Sequence, residues 1–273
     1  MLRSLYSGVA GMRGFQTKLD VIGNNIANVN TVGFKAARVM FQDVLSQTVA
    51  GVTAPIEGER GGRNPQQVGL GSTISSIDNI HTEGSPMSTN YGNDLYIEGD
   101  GYFAVQDGAD GPILLTRAGN FKLDGEGFLV TSDGYFVLDS GGAPIEIGED
   151  IESYSIGAYG FITTISADQE EAQVGPIGLI TVTNPEGLEK VGGTRFRITA
   201  NAVAGGDTDP LGYIGAPGDE RRGVLVAGRL EMSNVELTSE FTEMIIAQRG
   251  FQANSRIITT SDEILQEVVN LKR

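Results

Sequence analysis

All nine prolines of this 273-residue chain lie between Pro55 and Pro217. Inside a helix, proline removes a backbone donor and clashes with the preceding turn, at a cost of about 3 kcal/mol or more. Long helices are therefore open only to the two ends, and the sequence predicts helical termini around a non-helical middle.

The C-terminal end carries a seven-residue repeat: Leu230, Leu237, Met244, Phe251, Ile258 and Leu265. Four residues after each come Asn234, Phe241, Gln248, Ser255, Asp262 and Val269. One seam position is apolar and the other mostly polar, which is coiled-coil periodicity with a half-polar seam. Ser233 followed by Glu236 has capping-box spacing and predicts the helix start there. From that point on there is no proline and a single glycine, Gly250, so the predicted helix exceeds the usual globular length.

At the N-terminus, Leu2, Leu5, Val9, Met12, Phe15, Leu19, Ile22, Ile26 and Val29 recur at spacings of three or four, with a phase slip near Phe15. Gly8, Gly11, Gly14 and Gly23 interrupt this stripe, and each costs a helix roughly 1 kcal/mol relative to alanine. The N-terminal helix is expected to be marginal alone. Two apolar stripes at opposite ends can bury each other and bring the termini together. Ile245, Ile246, Ile257, Ile264 and Val268 stay off the seam, so the helices call for neighbours from other chains.

The stretch IGNNIANVNTVGFK places Asn24, Asn25, Asn28 and Asn30 within seven positions. Asparagine competes for backbone hydrogen bonds and marks caps and turns. Asn24 and Asn28 share one helical face, opposite Ile22, Ile26 and Val29. Asn24, Asn25 and Asn28 are expected to hydrogen-bond to backbone or to a neighbouring chain, and Asn30 with Gly33 to end the helix.

The middle reads as short strands between glycine-rich turns. Strands are predicted at Leu95–Ile97 and Tyr102–Val105 around Gly99-Asp100-Gly101, then at 161–165, 179–183, 194–198 and 224–232, with turns at 124–127 and 133–134. Turn signals every eight to twelve residues imply an antiparallel β-sandwich or barrel-like domain, not a parallel α/β sheet. Residues 201–223 read as a long strandless loop. The fold class is α+β: long terminal helices pair in a coiled-coil-like domain (1–29 and 233–273), residues 30–75 form a connector with extended segments, and residues 76–232 form an inserted, mainly antiparallel β-rich outer domain.

Lys and Arg minus Asp and Glu come to 5 − 2 = +3 over residues 1–45, 9 − 26 = −17 over 46–228 and 5 − 7 = −2 over 229–273. A middle this acidic repels nucleic acid and anionic membrane, so neither is an expected partner. The absence of cysteine excludes disulfides, thiolate metal sites and a cysteine nucleophile. The N-terminus shows no signal-peptide core, and no stretch reaches the roughly 20 apolar residues of a membrane span, so membrane insertion is not expected. The sole histidine, His81, has no GxSxG or other nucleophile signature beside it. Asp94, Glu98 and Asp100, or Asp124 and Glu126, could form an acid and base pair. Asp100, Asp124 and Asp133 each precede glycine, however, where aspartate serves local turn hydrogen bonds. EF-hand, P-loop and GxGxxG patterns are absent. No catalytic, cofactor or metal residue is expected.

NNIANVNTVGFK (24–35) resembles the N-terminal signature of the bacterial flagellar rod and hook proteins, and SNVELTSEFTEMIIAQRGFQANSRIITTSDEILQEVVNLKR resembles their closing helix. QQVGLGSTISSIDNIH, NDLYIEGDGYFAV and TRAGNFKLDGEGFLV are similar to their connector and β-domain. Within the family, the similarity runs first to the short hook proteins of Gram-positive bacteria and next to the distal rod proteins. The resemblance implies a non-enzymatic hook subunit, otherwise a distal rod subunit, that is exported by the flagellar type III apparatus and self-assembles into a torque-carrying helical filament. Its partners would be other axial proteins: the rod, the hook cap and the hook–filament junction. Its place would be the hook and basal body, extracellular after export and without a cleaved signal peptide. The assembly residues would be Leu5, Val9, Met12, Leu19, Asn24, Asn25, Ile26, Asn28, Asn30, Gly33 and Phe34 from the N-terminal end. From the C-terminal end they would be Leu237, Phe241, Met244, Gln248, Phe251, Ile258 and Leu265. The rival reading of another class is a secreted β-rich adhesin or carbohydrate-active protein.

Overall fold

A computed structural model describes residues 2–53, 55, 61–108, 111–148, 151–166, 171–219 and 221–271. The chain forms two compact units from interleaved stretches. One comprises Met1–Ala27, Ala37–Asn79 and Glu236–Arg273; the other comprises Asn28–Ala36 and Ile80–Val235. The architecture is α+β, and every strand pairing among the described residues is antiparallel.

The first unit contains α1 (Leu2–Ala27), α2 (Leu237–Leu271) and a ribbon of β1 (Ala37–Asp43), β2 (Ser46–Ala50), β3 (Gln66–Gly69) and β4 (Ser72–Asn79). In the ribbon β1 pairs with β4 and β2 with β3. The helices run antiparallel, since their contacts follow in reverse order: Gly8 lies against Ile258, Gly11 against Asn254, Phe15 against Gly250 and Lys18 against Glu243, with Asn25 against Glu240. Residues 8, 11, 15, 18 and 25 follow the alternating three-and-four rhythm of a helix-packing seam.

On α2 the second seam position differs from the expected one. It falls three residues after the repeating apolar positions, at Glu240, Ala247, Asn254 and Ser261, instead of four residues after them at Phe241, Gln248, Ser255 and Asp262. Ala247 is 0 % exposed while Phe241 is 49 % exposed. The cause lies on the partner helix, where Gly11 packs directly against Asn254 and the gap is too narrow for an aromatic ring, so small and polar side chains fill it. The helix start also differs, because α2 begins at Leu237. Ser233 Oγ accepts a hydrogen bond from the nearby Val235 N–H at 3.3 Å instead of closing a capping box, and Leu230 lies in a strand at Arg229–Glu231.

The glycines of α1 mark close packing on two faces. Gly8 and Gly11 meet α2, whereas Gly14 meets β1: a Cβ there would lie 2.7 Å from Phe41 Cε1. Phe15 and Phe41 add a tilted ring pair at 5.8 Å. Gly23 alone of the four has open space around it.

The second unit adds β5 (Pro86–Ser88), β6 (Leu95–Glu98), β7 (Tyr102–Gln106) and β8 (Ile113–Thr116), followed by short strands through Arg229–Glu231. β7 is its centre. It pairs with β8 on one side and with Phe136–Val137 and Leu179–Ile180 on the other. Its side chains alternate between two cores, with Phe103 and Val105 in one and Tyr102 and Ala104 in the other. A three-stranded sheet, Ile151–Ile156, Ile162–Ser166 and Glu171–Val174, contributes Ile162 to the first core.

Residues 201–223 are not strandless. Asp209 caps a 3₁₀ turn at Pro210–Tyr213 by accepting from the Leu211 N–H, and Ile214–Gly215 then pairs with Leu179–Ile180. Glu220 lies outside the described residues.

Replacing Gly23 with alanine adds helix propensity where nothing is displaced, and should raise the melting midpoint of the helical circular-dichroism signal by the equivalent of about 1 kcal/mol. Gly250→Val should lower it by about 1–3 kcal/mol, because a Cβ there would lie 2.5 Å from Phe15 Cζ. Equal effects of both substitutions would contradict the packing described.

Candidate functional site

The asparagine-rich segment at the end of α1, with the residues that follow it, builds two anchors, one in each unit. In the first unit Asn25 is buried, and its amide brackets one residue of β1. Its Oδ1 accepts from the Ala37 N–H at 3.0 Å, and its Nδ2 donates to the Ala37 carbonyl at 2.8 Å and to Glu240 Oε1 at 3.2 Å. The side chain supplies the hydrogen bonds a neighbouring strand would give and holds the ribbon's first residue on α1. Burial raises the Glu240 pKa above its ordinary value, with the nearby Glu243 adding to the effect and the Asn25 and Lys18 contacts opposing it.

In the second unit residues 33–36 enter the interior. Gly33 sits at φ +67°, and a Cβ there would lie 2.6 Å from the Ala118 N, so only glycine fits. Its N–H donates to the Glu231 carbonyl at 2.8 Å. Phe34 is buried, with the Lys190 ammonium 4.1 Å from its ring centroid. Ala36 bonds to Ile80 through its carbonyl and to Asn234 Oδ1 through its N–H, while Asn234 Nδ2 reaches the Ile80 carbonyl at 2.8 Å.

Lys35 is only 1 % exposed. Its ammonium donates to Glu231 Oε1 at 2.6 Å and to the Thr82 carbonyl at 2.7 Å. Glu231, also 1 % exposed, accepts from the Gly84 N–H at 3.0 Å and from Arg117 Nη1 at 3.3 Å. Arg117 Nη2 donates to the Gly99 carbonyl at 2.9 Å. Burial lowers the Lys35 pKa, with Glu231 opposing and Arg117 reinforcing. Beside this network His81 packs between Tyr102 and Phe196, its Nδ1 2.8 Å from the Tyr102 hydroxyl. Burial, then the positive charges of Lys35, Arg117 and Lys190, pull the His81 pKa down to about 4. Burial keeps the Tyr102 hydroxyl protonated well above the usual phenol range.

The remaining predicted assembly residues are distributed as follows. Leu5, Val9, Met12, Leu19 and Ile26 on α1, with Met244, Ile258 and Leu265 on α2, are half-buried. Leu237, Phe241, Gln248 and Phe251 are exposed, as are Asn24 and Asn30. Asn28 Oδ1 accepts from the Thr31 hydroxyl just after α1, which ends at Ala27, ahead of Asn30. The side chain of Leu2 lies outside the described residues. Sequence reasoning missed Arg117, Glu231 and Asn234 as anchors. The available signal was Glu231 itself, a lone carboxylate at the end of the apolar run VLVAGRLEM.

The carboxylates weighed as an acid and base pair occupy turns and edges. Asp124 Oδ1 accepts from the Gly125 N–H, the local turn bond expected of it, whereas Asp133 pairs with Arg195 at 2.6 Å. Among the described residues no group of three His, Cys, Asp or Glu side chains is placed to hold a metal, and no helix is long and apolar enough to cross a membrane.

Three family descriptions match the chain in order: flagella basal body rod protein at 5–35, flagellar hook protein FlgE/F/G D1 domain at 96–164, and flagellar basal body rod FlgEFG protein C-terminal at 226–271. The flagellar basal-body rod protein FlgG of Bacillus subtilis is 54 % identical over the full length of both chains. FlgG of Borreliella burgdorferi is 38 % identical over full length, and the flagellar hook protein FlgE of the same organism is 28 % identical, again with both chains fully covered.

The two partners of the buried pair should respond unequally to substitution. Lys35→Met leaves Glu231 with Arg117 and the Gly84 N–H, whereas Glu231→Gln strands two buried cations. Glu231→Gln should therefore cost about 3–5 kcal/mol in urea unfolding and Lys35→Met clearly less; the reverse order would refute the arrangement. For His81 the folded pKa lies below the unfolded one, so its neutral form stabilises the fold above about pH 6.5, and this contribution is lost as pH falls towards 4. Between pH 7 and 5 the wild type should lose on the order of 2 kcal/mol relative to His81→Gln; parallel pH profiles would argue against it.

Proposed function

On the premise that this chain belongs to the bacterial flagellar rod and hook protein family, we propose that it is the distal rod subunit, an axial structural protein that polymerises into a helical tube and transmits torque. The hook is the second reading, since hook and rod members share these motifs. Full-length identity of 54 % to a rod protein favours the rod.

The observation that carries the polymer reading is the surface left on α2 once α1 has covered its seam. Ile246, Ile257, Ile264, Val268 and Leu271 follow one another at spacings of 11, 7, 4 and 3, along one helical face, and all remain exposed. Leu237, Phe241 and Ile245 form a second exposed row. Apolar rows of this length mark a protein interface, and head-to-tail contacts that do not close generate a filament. In this reading the helix pair is coiled-coil-like and lines the tube. Residues 30–75 connect it to β-rich outer domains (76–232) whose −17 charge over 46–228 keeps their mutual contacts polar and sparse. Leu5, Val9, Met12, Leu19, Asn24, Ile26, Asn30, Leu237, Phe241 and Phe251 are the positions for contact with neighbouring copies. Export by the flagellar type III apparatus suits a cysteine-free chain that can thread a channel unfolded. Docking to rod, cap and junction partners follows at the tube's ends.

Ile257→Lys together with Ile264→Lys should leave the β-rich unit folded and abolish tubes in electron micrographs; tubes of normal yield would overturn the reading. In cells lacking the gene, truncated rods support the rod, whereas complete rods without hooks shift the assignment to the hook.

A further inference from the structure

The second unit contains a polar cleft of about 210 Å³ that neither fold nor assembly rows account for. His81, Asp100, Arg117, Thr181, Thr183 and Arg221 line it. Two buried polar atoms of these residues, His81 Nε2 and Arg117 Nε, have no hydrogen-bond partner. Both are donors. Arg117 Nε carries a hydrogen at any accessible pH. A phenol O–H is a stronger donor than an imidazole N–H, and an imidazole nitrogen a stronger acceptor than a phenol oxygen. The 2.8 Å contact is therefore assigned as Tyr102 donating to His81 Nδ1, which puts the proton of the neutral ring on Nε2. Two guanidinium groups and two adaptable hydroxyls share the cleft with one carboxylate, Asp100. Buried donors without a partner keep their desolvation cost uncompensated, and what they lack is an acceptor.

We propose that this cleft receives a carboxylate, supplied by an acidic side chain on a second copy of the chain. Charge complementarity identifies the source: residues 46–228 carry 26 Asp and Glu against 9 Lys and Arg, so a neighbouring copy presents carboxylates in excess. His81 Nε2 and Arg117 Nε would donate from the floor, and Arg221, exposed at the rim, would supply the charge-assisted bond. The choice of source rests on the polymer reading above, whereas the carboxylate chemistry does not.

Because His81 is the only histidine, long-range ¹H–¹⁵N spectra of the full chain report on Nε2 without ambiguity. Sodium acetate should shift that resonance saturably, sodium chloride at matched ionic strength should not, and Arg221→Gln should weaken the response by about tenfold, the loss of one charge-assisted hydrogen bond. An unmoved resonance, or one moved equally by chloride, overturns the carboxylate site. For the source, assembled tubes free of acetate should show the same His81 shift. Arg221→Gln should also raise the concentration needed for assembly by about tenfold while its urea midpoint stays at the wild-type value. Assembly of Arg221→Gln at the wild-type concentration overturns the second copy as donor. If the unsubstituted chain forms no tubes, the polymer reading fails by itself, and the acetate titration still decides the site.

Discussion

One buried carboxylate organises the β-rich unit. Glu231 receives Lys35, Arg117 and the Gly84 N–H at once, and its own backbone carbonyl receives the Gly33 N–H. Removing three charges from water costs several kcal/mol per ion, and apolar residues of equal volume would often stabilise as much. Such a network earns its place through specificity: its bonds have one solution in space. Lys35 can reach Glu231 only if residues 33–36 run beneath Arg117 and Ala118, and that route leaves no room for a Cβ at position 33. The glycine, the lysine and the distant glutamate therefore form one constraint.

In the helical unit the governing constraint is space. A helix carrying Gly8, Gly11 and Gly14 looks weak by intrinsic propensity. Gly11 and Gly14 lie where a Cβ would come within 2.8 Å of Asn254 and 2.7 Å of Phe41, while Gly8 sits at ordinary contact distance from Ile258, so the propensity lost within α1 is offset by contact on two faces. The same geometry dictates the small, polar character of the facing positions Ala247, Asn254 and Ser261.

How far the sequence was legible follows from these two constraints. Proline placement located both helices together with the seven-residue repeat at the C-terminal end and the three-and-four spacing at the N-terminal end, since each acts locally. Strands such as Leu95–Glu98 and Tyr102–Gln106 were readable from glycine-bounded apolar runs. The seam on α2 was misjudged by one residue, because periodicity cannot distinguish a +3 from a +4 partner until the facing helix is known to be glycine-lined. The Lys35–Glu231 pair spans 196 residues and leaves no periodic trace. The pairing of Ile214–Gly215 was equally hidden, since two residues are too few to form a pattern.

The two units differ in how far each completes itself. In the β-rich unit β7 is buried on both faces between two apolar cores, and its charges at 35, 117 and 231 find one another. The helical unit closes one seam and leaves apolar rows on α2 bare. Acidity is concentrated over residues 46–228, so the chain repels its copies along most of its length and presents oily surface on the C-terminal helix. Apolar attraction along the helices and net repulsion between β-rich units, relieved only where a cleft can accept a carboxylate, together favour an ordered stack over indiscriminate aggregation. Mutual repulsion keeps the acidic parts apart, and the rows on α2 can be covered only by apolar surface aligned with them.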